Sequence, residues 1–296
     1  MLEAVWSWWT LPVTQIGSEW RSEFHELLGW VLSVETARKS YSTTALVTDD
    51  AGARMLVDAL GLPFDTVSTA LNDLNDRGPD PEWRFLGKLY AYRRQERPFV
   101  HLDNDVFLWN RLPDWLETAS VFAQNPEYIT FGSSFYQPER VEHAIRSAGG
   151  WMPEEIEYYI SGDGTFPAAC CGIMGGTDLE FIEYYADRGI KMMEHPENRA
   201  VWSSMRGIPL GLVYEQYHLA ACIAYHKGRP GSPFSDIRAE YLFESPLDAN
   251  DRAGEVGFTH LIGPAKRNTD VAERVRARVE REYPDYYDRC VALVRR

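Results

Sequence analysis

Pro98-Phe99-Val100-His101-Leu102-Asp103-Asn104-Asp105-Val106-Phe107-Leu108-Trp109 is the stretch from which the fold of this chain is read. An apolar run leads to two carboxylates separated by one residue, and a second apolar run follows, the pattern of a buried strand that ends in a polar site. Side chains two apart on an extended segment point to the same side, so Asp103 and Asp105 are expected to face one hard cation together, with Asn104 turned away. Two like charges in an apolar setting are costly unless something positive neutralises them, and a divalent metal with oxygen ligands does so. The alternative is a pair that merely caps a strand in solvent. The apolar runs on either side weigh against it, because exposed acidic turns are less usual inside a folded edge.

Working outward, strands and helices alternate. Residues 4–9 read as a first strand, broken at Pro12, and residues 20–37 place Phe24, Leu27, Leu28, Val31 and Val34 at helical spacing with one buried face. Residues 45–48 read as the next strand. Asp49 and Asp50 then open a helix with Met55, Leu56, Ala59 and Leu60 on one side, ended by Gly61. Residues 64–67 read as a third strand and 69–76 as a polar connection ending in Arg77-Gly78-Pro79. Residues 83–96 read as a helix with Trp83, Leu86, Leu89 and Tyr90 inward and Lys88, Arg93 and Arg94 outward.

Beyond the acidic pair the pattern is less regular. Short strands are expected at 120–124 and 128–131, helices at 138–148 and 178–193, and between them the small-residue stretch 166–176 from Phe166 to Gly176. Leu212 opens a further helix to Tyr225, residues 228–234 form a Gly/Pro-rich loop, and Asn268-Thr269 cap a terminal helix to about Tyr283. The class is therefore α/β with a mostly parallel sheet flanked by helices and a smaller irregular region. In such sheets ligands bind outside the carboxyl ends of the strands, where Asp103 and Asp105 stand.

The 296 residues suffice for one large domain, and 45% hydrophobic with 25% charged residues is ordinary globular composition. The 10 Trp and 16 Tyr suit a large core or a groove that covers flat apolar faces such as sugar rings. A net charge of −14 repels nucleic acid and anionic membranes, so neither is expected as a partner. Cys170, Cys171, Cys222 and Cys290 lack zinc-type spacing and read as reduced thiols. No signal peptide and no long apolar span is read, so a cytoplasmic protein is expected.

His101-Leu102-Asp103-Asn104-Asp105-Val106-Phe107-Leu108 resembles the DXD segment of GT-A fold glycosyltransferases, and His260-Leu261-Ile262-Gly263-Pro264-Ala265-Lys266 resembles the His-x-x-Gly-x-x-Lys motif of the retaining glycogenin and galactosyltransferase-like branch. The resemblance implies a GT-A-type domain over 1–296, with a nucleotide-binding part at about 1–112, an acceptor and catalytic part at 113–267 and a terminal helix at 268–296. It implies Mn²⁺ or Mg²⁺ held by Asp103, Asp105 and His260, and transfer of a sugar from a nucleotide-diphosphate sugar, UDP-linked first, with retention. The acceptor stays open among a glycan, a metabolite and a protein side chain. Gly263 and Lys266 would meet the diphosphate, Trp6 and Ser7 would border the base, Asp49 would lie near the nucleoside, and Lys88 near phosphate or metal. Glu215 and Gln216 resemble the Asp-Gln segment that faces the transferred sugar, and are the catalytic candidates; the other reading makes them a helix-start pair that satisfies backbone donors. The segment 169–172 departs from the family's pattern, with Ala169-Cys170-Cys171-Gly172 where an asparagine is expected. Two competitors stand beside this reading. One is a sugar-nucleotide-binding protein without turnover. The other is a nucleotidyltransferase, which needs a Gly-rich phosphate loop where the chain has Trp8-Trp9-Thr10-Leu11-Pro12.

Overall fold

The computed structural model describes residues 1–12, 18–77, 83, 85–128, 137–162, 167–205 and 210–295. The chain is a mixed α/β protein that forms two compact units, one from Met1–Pro81, Phe99–Pro113 and Asp251–Arg296, the other from Glu82–Pro98 and Asp114–Asn250.

In the first unit the strands β1 (Glu3–Trp8), β2 (Thr44–Thr48), β3 (Thr66–Ser68) and β4 (Phe99–Leu102) lie parallel in the order β3-β2-β1-β4. β2 and β4 are buried throughout, as expected of parallel strands covered on both faces. The helix Glu23–Ala37 starts where the Ser22 side chain accepts from the His25 amide, and it buries Leu27, Leu28, Val31 and Val34. The helix that starts at Asp50 widens after one turn into a π-helical run, Arg54–Ala59. That shift of register leaves Leu56 and Leu60 in the core but turns Ala59 out to solvent, against the expected single apolar face. The connection expected at 69–76 is a 3₁₀ helix, Ala70–Arg77, and Gly78 and Pro79 lie outside the described residues.

A correction concerns the acidic pair itself. Asp103 and Asp105 do not sit on an extended segment: β4 stops at Leu102, a turn follows, and a new strand, β5 (Val106–Leu108), starts directly after Asp105. The Val106 amide donates to the Asp103 carbonyl at 3.0 Å and closes the turn. β5 pairs antiparallel with the strand Phe258–His260, with His260 opposite Val106. Asn268 then caps the helix Thr269–Glu282, and the terminal helix expected over 268–296 is broken at Tyr283, with a second helix, Pro284–Val294, completing this unit.

The second unit contains β6 (Val121–Ala123), β7 (Pro126–Tyr128), β8 (Pro167–Ala169), β9 (Ile173–Gly176) and β10 (Ala239–Tyr241). β6 pairs in parallel with β10 and antiparallel with β9, while β7 and β8 form an antiparallel pair. The strand expected over 128–131 is seen only to Tyr128; residues 129–131, like Phe166, lie outside the described residues. The helix Leu86–Arg93 and the π-helical run Leu212–Tyr217, continued by His218–His226, both approach the helix Leu179–Glu194. Gly189 permits this approach, since a Cβ there would lie 2.8 Å from Leu89 Cδ1 and 2.9 Å from the Tyr214 carbonyl oxygen. No helix among the described residues is long and apolar enough to cross a membrane.

Candidate metal centre

The turn that carries the two aspartates is pinned from both ends by hydroxyls of the helix Glu23–Ala37. Ser33 Oγ donates to the Asp103 carbonyl at 3.1 Å and itself accepts from Trp6 Nε1 at 2.9 Å. Thr36 Oγ1 accepts from the Leu108 amide at 3.2 Å. Both hydroxyl residues are fully buried, so these bonds are made without competition from water. On the other side the Leu261 amide donates to the Asp105 carbonyl at 3.0 Å, which carries the antiparallel pairing past His260.

The register of that pairing brings the imidazole to the acids. One ligand atom each from Asp103, Asp105 and His260 lies within 4.8 Å of the others. Asp105 is buried, with Oδ1 3.4 Å from His260 Nε2 and Oδ2 2.7 Å from Lys266 Nζ; Lys266 also reaches Glu19 Oε2 at 3.2 Å. Burial alone would raise the Asp105 pKa, but the facing His260 and Lys266 outweigh it and hold the carboxyl well below its usual range. Burial likewise works against the Lys266 charge, yet the Asp105 and Glu19 carboxylates push its pKa up to about 12.

These residues fit a divalent cation. Asp105 Oδ1 is buried, and His260 Nε2 stands 3.4 Å from it, too long for a good hydrogen bond. Ligand atoms on an octahedral ion with bonds of about 2.1 Å stand roughly 3 to 4 Å apart, a spacing the cluster already approaches. Two carboxylates with one imidazole suit Mn²⁺ better than Mg²⁺, which prefers oxygen alone.

The other residues singled out from the sequence take varied places. Ser7 Oγ is 2.9 Å from His101 Nε2, and His101 Nδ1 is 3.8 Å from Asp103 Oδ1, so Ser7 is linked through His101 to the acidic turn. Trp6 is wholly buried, with its indole N–H on Ser33, and belongs to the core. Asp49 is buried and engaged within the protein: Oδ2 accepts from the Thr10 amide at 2.9 Å and hydroxyl at 2.7 Å, and Oδ1 accepts from the Gly52 amide at 2.8 Å. Gly263, at φ +54°, starts the 3₁₀ turn Gly263–Arg267 that delivers Lys266.

Lys88, Glu215 and Gln216 lie in the second unit. Lys88 is buried, a correction to the solvent-facing position that helical spacing suggested. Its Nζ stands 2.8 Å from Glu215 Oε1 and donates to the Cys171 carbonyl at 3.1 Å, and Tyr92 donates to the same Glu215 oxygen at 3.0 Å. Glu215 is fully buried and Gln216 nearly so, both on the π-helical run, a feature frequent at functional sites. The sequence reading missed Glu19, Ser33 and Thr36. Ser33 and Thr36 left a signal: two hydroxyls, three apart, on the apolar face of the 20–37 helix. Glu19 left none, because it sits in a stretch without periodicity.

The sequence profile of DUF6734, a family of unknown function, matches residues 1–293. No characterised protein matches by sequence. Among solved structures the chain is similar to the crystal structure of the galactosyltransferase LgtC in complex with donor and acceptor sugar analogues, at 12% identity and a TM-score of 0.41, over 92% of this chain and 96% of that one.

Proposed function

We propose for this chain, which belongs to the DUF6734 family, the metal-dependent transfer of a sugar from a nucleotide-diphosphate sugar to an acceptor. The observation that carries the reading is the convergence of Asp103, Asp105 and His260, from segments more than half the chain apart, with ligand atoms within 4.8 Å and Lys266 alongside. A bound Mn²⁺ would supply Lewis-acid neutralisation of diphosphate charge.

In this reading the protein's own groups do the remainder. Asp103, Asp105 and His260 are the metal ligands, and Lys266 offsets negative charge on the departing nucleoside diphosphate. Gly263, free of a side chain, lets the backbone of its turn come close to phosphate oxygens. Ser7 borders the base and is oriented by His101. Trp6 supports Ser7 from within the core, and Asp49 fixes the Thr10 backbone beside the nucleoside. Lys88, Glu215 and Gln216 serve the sugar: Glu215, its charge balanced by Lys88, offsets positive charge developing at the anomeric carbon, and Gln216 binds a hydroxyl. A UDP-sugar is the first donor to try, retention the expected outcome, and the acceptor a glycan, a metabolite or a protein side chain. All four cysteines are thiols buried in the protein, which supports the cytoplasmic reading.

The test incubates the purified protein with a panel of UDP- and GDP-sugars and Mn²⁺ and follows nucleotide release together with thermal shift. Slow donor hydrolysis that depends on the metal and is lost in D105N is the expected result. A metal-dependent thermal shift with UDP but no release of nucleotide from any donor would make the chain a sugar-nucleotide-binding protein instead.

A further inference from the structure

Lys266 is shared between two carboxylates that have different uses. Its ammonium stands 2.7 Å from Asp105 Oδ2 and 3.2 Å from Glu19 Oε2, and Asp105 is one of the three groups that converge as a cation site. An ammonium on Oδ2 and a divalent ion on Oδ1 of the same carboxylate repel one another, so loading the site weakens the lysine's hold on Asp105. A lysine largely buried in this way cannot simply turn to water, because an unpaired charge away from solvent is costly.

Glu19 offers the lysine another place. It is about half exposed, lies outside the converging ligand set, and its backbone is tied to the segment that carries Lys266. The Arg21 amide donates to the Lys266 carbonyl at 3.1 Å, Arg267 Nε donates to the Glu19 carbonyl at 3.2 Å, and the Arg21 guanidinium donates to Thr269 Oγ1 at 2.7 Å. These bonds hold residues 19–21 and 266–269 together, so Glu19 stays within reach of Nζ whichever oxygen the lysine prefers. Four rotatable side-chain bonds let the ammonium change partner while the backbone stays in place.

We propose that Glu19 is a positioning residue for the cation site, the anchor that takes Lys266 when a divalent ion claims Asp105. The inference rests on the metal reading above and adds to it an exchange of ion-pair partners: the contact between Lys266 Nζ and Asp105 Oδ2 opens, the contact with Glu19 Oε2 is retained, and no proton moves. Glu19 tightens metal binding without touching the metal, and it acts only through the lysine.

A double-mutant cycle in the full-length protein tests this, with Mn²⁺ alone as the probe and free Mn²⁺ read by electron paramagnetic resonance. E19Q should weaken Mn²⁺ binding about five- to tenfold in the wild-type background and less than about twofold beside K266M, the difference being the coupling between the two side chains. K266M alone should bind Mn²⁺ more tightly than wild type, because the competing ammonium is gone. Equal losses from E19Q in both backgrounds would make Glu19 a direct ligand or a distant charge, and no loss in either would make it a bystander; each result overturns the inference. If D103N and D105N abolish Mn²⁺ binding while the cycle shows no coupling, the metal site stands and only the role of Glu19 falls. If the wild type binds no Mn²⁺ at millimolar concentration, the site reading and this inference fall together.

Discussion

Two lysine–carboxylate pairs of almost equal length occur in this protein and differ in nearly every other respect. Lys266 meets Asp105 at 2.7 Å, and Lys88 meets Glu215 at 2.8 Å. Around Asp105 there is a surplus of groups able to hold a cation: a half-buried second carboxylate, an imidazole, and a further acid on the lysine itself. Around Glu215 a single carboxylate oxygen, Oε1, takes both the Lys88 ammonium and the Tyr92 hydroxyl, and the lysine also donates to the Cys171 carbonyl, with all of these side chains buried. Under the exchange proposed above, the first pair trades one cation for another. The second must keep the cation it has, because opening it leaves a charge with no solvent to receive it. Ion-pair distance therefore says little about role, and the neighbours decide.

The largest effect is expected at the sealed pair. K88M leaves Glu215 buried without its counter-charge and should cost about 3–5 kcal/mol of unfolding free energy, measured by urea denaturation. K266M, at the exchangeable pair, should cost much less; equal losses would erase the distinction.

Acid should also separate the two regions. Burial, only partly opposed by the Glu155 charge, pushes the His218 pKa in the second unit down to about 4, from an ordinary 6.5. Between those values the unfolded chain holds a proton that the folded one does not, so stability falls as pH drops from 6.5 towards 4, by up to about 3 kcal/mol. The Asp105 pKa is also held down, but for an acid this favours the charged form, so its contribution is present above the ordinary carboxylate range and is lost only as pH falls below it. Urea midpoints at pH 7 and pH 4.5 should therefore differ less in H218Q than in wild type, and equal differences would count against the histidine.

At the metal-binding cluster proposed above, D105N should weaken Mn²⁺ binding about a hundredfold, read by calorimetry, and should also lower the unfolding midpoint at neutral pH, because the stability carried by the depressed carboxyl goes with it. The smallest effect is expected from the support beneath it. S33A removes the bond to the Asp103 carbonyl, leaves the Trp6 indole N–H without its acceptor, and should cost about 1 kcal/mol of stability with a few-fold loss in Mn²⁺ affinity. S33T should restore both where S33A does not.

Much of the first region was legible in advance. The two aspartates stood between apolar runs, His260 and Lys266 kept a recognisable spacing, and the strand-helix alternation up to residue 105 gave the parallel strands β1 to β4. The turn at the pair was not, because a largely apolar run, three polar residues and a second apolar run describe a strand with a polar end as well as a turn between two strands. The second region was hidden for a different reason. Helical periodicity treats any lysine as solvent-facing, and Lys88 is inward only because Glu215, far along the chain, comes to meet it. Gly189, which lets those two helices close on a third, carries no signal of its own in a single sequence. The widening of the helix after Ala53 was illegible in the same way, since Ala59 fits an apolar face equally well in either register.

The first unit is stitched from the opening of the chain, a short central piece and the last stretch from Asp251. During synthesis the aspartate turn emerges well before His260 and Lys266 and must wait for them. Nascent chains cut short before that strand should carry the acidic turn without its imidazole and its lysine, so the three converging side chains meet only once the segment from Phe258 to Lys266 has been made.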